Sequence, residues 1–197
     1  MEAGKEIKFL LVFVIMFMVG CQAQEKKRTE SAEKFLKIAQ DKNIEVFYDL
    51  VLIPRKLNSE SNKYQLGRLV YESNVNGNRE QIDLPVIRKE MKETEVQLLP
   101  FYNNIHKFST AKGITVDSAK KYISQVVTQY EELNVIEITS HPDLGRFIVF
   151  KINNSDELIY KEEEAPVYHE YWRKYFATAL KLKPQWYFFY SLSLSIK

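Results

Sequence analysis

Cysteine is nearly absent: the 197-residue chain has one, at position 21. That excludes an internal disulfide framework, and it removes any Cys-based metal site or thiol nucleophile from everything downstream. Histidine is scarce as well, since His106, His141 and His169 are the only imidazoles and stand far apart. His169-Glu170 begins like the zinc motif HExxH, but Arg173 occupies the position of the second histidine; a helix needs both on one face. The six glycines form no phosphate-cradling loop and no Gly-x-Ser-x-Gly elbow. Neither sign of charge dominates. Lys and Arg number 28 against 26 Asp and Glu, interleaved throughout, so there is no basic stripe to neutralise a nucleic acid backbone. The pair Glu131-Glu132 and the run Glu162 to Glu164 read as solvated faces, because sequence neighbours on a helix point apart. Neither a metal nor a cofactor is expected.

The chain does have a globular composition, 45% apolar and 27% charged, with length enough for one cored domain. Its one long apolar run is Phe9 to Val19, which follows Lys5 and Lys8 and leads into Gly20-Cys21. As a helix it would span roughly 17 Å, about half a hydrocarbon core. A basic start, a short apolar stretch and a small residue at the cut site make a signal peptide over residues 1–20. Met18-Val19-Gly20-Cys21 resembles a bacterial lipobox. The resemblance implies cleavage after Gly20, diacylation of the Cys21 thiol and attachment to a membrane through that residue. Two or three acyl chains anchor stably where one does not. Residues 21–29 then form a polar tether. Residue 22 is Gln, not the Asp that in some lipoproteins of this kind signals inner-membrane retention, so the outer membrane is favoured.

Residues 30–197 read as an α+β domain: an antiparallel sheet of five to seven strands with helices packed on one face. A helix carries Phe35, Leu36, Ile38 and Ala39. Ile44–Ile53 reads as a strand stopped by Pro54, and Tyr64–Glu72 as a second. Asn74 to Asn78 is a hairpin turn and Ile82–Leu84 the returning strand. Pro85 opens a helix to about Leu99, and a further helical piece reaches Lys112-Gly113. The clearest helix runs from Thr115 or Asp117 to Asn134, with an apolar stripe from Ala119 to Leu133. Strands follow at 135–139, 146–152 and 157–160, then a helix from Pro166 and a strand from Trp186 to Ile196. Gln65-Leu66-Gly67-Arg68-Leu69-Val70 resembles Asp143-Leu144-Gly145-Arg146-Phe147-Ile148. Each lies after a helix and an Asn-led strand and before a Pro-Val pair, so the chain can be written as two similar α-β-β-β-α halves, 30–100 and 115–182.

The aromatic C-terminal region is the feature that points to binding. Most of its rings fall at core spacing, and Trp172 and Tyr187 are the residues expected to line a surface groove. The function expected is a lipid-anchored cell-envelope protein acting as a non-enzymatic binding or accessory module, for a protein or small-molecule partner. An envelope hydrolase with a site assembled across the fold, and an inhibitor or protective protein, are the alternatives.

Overall fold

A computed structural model describes residues 30–58, 63–75 and 78–190. The signal peptide, Cys21 and the tether lie outside the described residues, as do the turn at 76–77 and the last strand beyond Tyr190.

Helix α1 covers residues 30–39, and a 3₁₀ turn follows at Ile44–Phe47. The strands are β1 (Leu50–Asn58), β2 (Lys63–Val75), β3 (Asn78–Leu84), β4 (Glu137–Thr139), β5 (Phe147–Lys151), β6 (Asp156–Lys161), β7 (Leu180–Lys183) and β8 (Trp186–Tyr190). The remaining helices are α2 (Glu93–Gln97), α3 (Asn104–Lys112), α4 (Val116–Leu133) and α5 (Glu170–Thr178). The eight strands form one antiparallel sheet in the order β3-β2-β1-β4-β5-β6-β8-β7. The protein is α+β.

Alternation decides which side chains meet which helices. Leu50, Leu52, Leu69, Tyr71, Ile138, Ile148, Phe150, Leu158 and Phe188 point to one face, where they join residues of α1, α3 and α4 in the main core. Helix α4 follows its stripe closely: Ala119, Ile123, Val126, Val127, Tyr130 and Leu133 are buried. Thr115 caps its start by accepting from the Ser118 amide, and Asn134 ends it in the left-handed region. Helix α5 crosses to the opposite face. There Trp172, Tyr175 and Phe176 pack on Phe147, Val149 and Ile159. Strands β5 and β6 are apolar at consecutive positions (Phe147 to Phe150, Leu158 to Tyr160), so both of their faces need cover, and a helix on one side alone cannot supply it.

Several boundaries differ from the sequence expectation. Ile44–Phe47 coils into a 3₁₀ turn because Asp49 takes φ 64 and starts the strand only at Leu50. Pro54 does not stop β1. The register shifts on both sides of it, and this bulge absorbs the lost amide donor. Gly67 permits the bulge: a Cβ there would sit 2.7 Å from the Arg55 backbone. Pro85 and Pro166 open no helix. Helix α2 waits for Glu95, whose carboxylate accepts from the Lys92 amide at 2.7 Å, and α5 waits for His169, whose Nδ1 accepts from the Tyr171 amide. Pro166-Val167 instead turns back on the chain, with Gly145 bridging Val167. Edge strand β7 has no counterpart in the sequence reading.

Outward from the β1–β4 pair, the first six strands read 1-2-3 on one side and 4-5-6 on the other. The helices do not repeat this order, since α3 and α5 lie on opposite faces.

Candidate functional site

The face of the sheet that α5 leaves uncovered carries the most concentrated polar cluster among the described residues. Glu72 of β2 is 1% exposed, so its carboxylate must find donors inside the protein. The hairpin supplies them. Gln81 lies directly across the β2–β3 ladder, and Arg79 lies two pairs nearer the turn, opposite Asn74. Arg79 Nη2 donates to both carboxylate oxygens at 2.6 and 2.7 Å, Arg79 Nε to Oε2 at 3.1 Å, and Gln81 Nε2 to Oε1 at 2.7 Å. His141, just past β4, brings Nδ1 to 2.6 Å from Oε2. A carboxylate can only accept, so Nδ1 carries the proton toward Glu72. Arg79 Nη2 lies 2.9 Å from the same Nδ1, both being aimed at one carboxylate.

The cluster ties the β4–β5 connection to the outer hairpin. Ser140 strengthens the tie, accepting from the Asp49 amide and donating to the Phe147 carbonyl. Burial pushes the Glu72 carboxyl up, but the hydrogen bonds from Arg79, His141 and Gln81 outweigh it and hold the pKa below the usual carboxylate range. A group whose folded pKa is depressed stabilises the fold fully above the unfolded value of about 4.3, and that stabilisation is lost as pH falls through the folded value. A Glu72→Gln protein is therefore expected to be less stable than the parent near neutrality, by about 1–3 kcal/mol. The gap should close in urea melts taken at progressively more acid pH; a gap independent of pH would contradict this account of the cluster.

On the same face, under α5, lies the aromatic patch. Trp172 is half-buried, 4.7 Å from the Phe147 ring and 4.8 Å from the Tyr175 ring. Tyr175 stacks on Phe189 at 3.9 Å and donates from its hydroxyl to Glu157 at 2.8 Å. Burial, then Glu157, keeps that phenol protonated well above the ordinary tyrosine range. Tyr187 is half-buried against Phe176 at 5.2 Å, with the Lys181 ammonium 5.9 Å over its ring. Trp172 and Tyr187 thus flank the same Phe176 ring from two elements, within one cluster. Outward of them stand Tyr168 and Tyr171, each 60% exposed, with Tyr171 5.7 Å from the Trp172 ring.

His106 and His169 join neither group, and His169 serves as the α5 cap. Sequence reasoning passed over Glu72, Arg79 and Gln81. The Asn76-Gly77 dipeptide in the sequence held the signal, because counting outward from it pairs 75 with 78, 74 with 79 and 72 with 81. The exposure of Tyr168 and Tyr171 follows from the late start of α5, which the Pro166 rule concealed.

Comparisons with protein-family models, curated proteins and solved structures return no match. Only the chain's own geometry bears on function.

Proposed function

We propose that the chain is a lipid-anchored cell-envelope protein, held at the outer membrane through acylated Cys21, whose domain is a non-enzymatic module that binds a protein partner. The observation that carries the binding half is the exposure of Tyr168 and Tyr171 at the start of α5, on a helix whose other rings are packed. Tyrosine offers large contact area with a polar handle and little rotamer entropy to lose, which is why it dominates interfaces. Here the supporting rings are already fixed by Phe147 and Phe189, so the surface is pre-organised. A helix standing proud of a sheet suits a protein surface better than a small ligand, which needs a concavity.

The start of α5 also lies at the opposite end of the sheet from the start of α1. The Tyr168 amide donates to the Leu144 carbonyl at the head of β5, whereas α1 begins beside the β5–β6 turn, where Ser31 and Lys34 share a cleft with Asn153. An anchored domain would hold its tyrosines toward the space beyond the bilayer.

A photo-crosslinking residue at position 171, in full-length protein in intact cells, is expected to give one discrete adduct that the same residue at Lys121 does not. With the crosslinked protein purified, Tyr171→Ala should weaken its binding about ten-fold or more. Crosslinking no better at 171 than at 121, or unchanged affinity, would refute the reading.

One observation favours the envelope hydrolase as second reading: the Glu72–His141 pair has the form in which a carboxylate orients an imidazole base, leaving Nε2 to act. If that reading holds, His141→Ala abolishes hydrolysis of ester or peptide substrates by the purified protein. In the binding module it leaves partner affinity unchanged.

A further inference from the structure

The end of the sheet where β1 finishes and β2 starts is also the end where the described chain begins. Asn134, at the close of α4, accepts from the Tyr64 amide there. The same Asn134 lines a cleft with Ser31, Lys34 and Asn153, so the start of α1 and the β5–β6 turn share this end. The α2–α3 connection belongs to it too. Leu99, Pro100 and Phe101 close over Gly67 and Arg55 around a cavity of about 280 Å³.

Two features of that connection are unexpected in a surface turn. Leu98 is 86% exposed and Phe101 is 52% exposed, side by side with Pro100. Phe101 also takes φ 64, a left-handed conformation that is strained for a bulky side chain and persists only where the surroundings impose it. The strain holds an aromatic ring in contact with solvent. Around it the cavity is lined by Arg55, Arg68 and Arg88, with no carboxylate in the lining. Arg68 pairs with Asp83 and Arg88 with Glu131, while Arg55 is exposed with no ion-pair partner among the described residues. Lys63 and Lys89, both exposed, stand in the adjoining groove, where Glu90, Glu131 and Glu132 balance them, so the unpaired positive charge of this end is that of Arg55.

We propose that this end of the domain rests on an anionic phospholipid bilayer, with Leu98 and Phe101 entering the headgroup region and Arg55 meeting lipid phosphate. The proposal rests on the lipid-anchor reading of Cys21. Residues 22–29 reach at most about 28 Å, and the α2–α3 connection lies about four strands, or roughly 20 Å, from the start of α1. An anchor on Cys21 therefore keeps Leu98 and Phe101 within reach of the surface. Apolar side chains beside an unpaired cation are the combination that an anionic interface favours. The arrangement would fix the orientation of the domain and aim the start of α5 outward.

The test uses the lipidated full-length chain carrying Leu98→Cys, labelled with an environment-sensitive fluorophore and reconstituted into phosphatidylethanolamine–phosphatidylglycerol vesicles containing spin-labelled lipid. A label at Glu80→Cys, in β3 toward the other end, is the reference. Quenching several-fold stronger at 98 than at 80 is expected. Adding Arg55→Glu, or replacing phosphatidylglycerol with phosphatidylcholine, should bring quenching at 98 down toward the reference. Equal quenching at the two positions, in protein that floats with the vesicles, overturns the proposal while leaving the anchor standing. Label taken up at Cys21 itself, with protein that does not float, overturns both.

Discussion

Phe150→Ala is expected to take the domain to the edge of unfolding at ordinary temperature. Phe150 is fully buried at the centre of the main core, where its ring lies 5.2 Å from Phe35, 5.6 Å from Trp186 and 6.0 Å from Phe47. Those partners come from α1, β8 and the 3₁₀ turn. One truncation therefore loosens the docking of both ends of the described chain on the sheet. Removing a buried Phe costs about 3–5 kcal/mol, from lost transfer energy and from the cavity left behind. Whole domains hold only about 5–15 kcal/mol. The melting temperature should fall by about 10 °C or more, against no measurable change for Leu98→Ala, since Leu98 is exposed. Equal melting of the two variants would mean that the packing around Phe150 is wrong.

Cys21→Ala is expected to have the largest effect on where the protein resides. In the parent, intact mass should show a chain beginning at Cys21 and carrying two or three acyl chains. At about 0.8 kcal/mol per buried methylene, two such chains bind essentially irreversibly. The variant should lose all lipid mass and leave the membrane fraction. Unchanged partitioning, or a parent with residues 1–20 still attached and a free thiol, would sink the anchor. Among the described residues no helix is long and apolar enough to cross a membrane, so a domain released from its lipid has no helical span there to hold it.

How far the residues announced this structure depended on which force set each element. Helix α4 was legible to within a residue or two, because its apolar stripe, Thr115 cap and Asn134 stop all agree. The strands were legible as strands, but the faces of β5 and β6 were not used. An unbroken Phe-Ile-Val-Phe run already demands cover on two sides, and taking it at face value would have placed a helix on each face. The prolines misled. Pro54 suggested a strand end, and Pro85 and Pro166 suggested helix starts. Yet a proline's fixed φ suits a bulge or a turn equally well, and long-range pairing chose between them. The site residues were the least legible, since Glu72 is an ordinary acid in a strand until Arg79, Gln81 and His141 are folded onto it.

The first six strands would, by themselves, leave β6 as an edge with an unpaired backbone. Such an edge recruits strands from other molecules. The chain continues through β8, which hydrogen-bonds to β6, and through β7, which carries Lys181 and Lys183 at the new border. Like-charged lysines discourage a second copy from docking there. The two strands that extend the sheet past β6 thus also give it a border at which a second copy is discouraged from pairing.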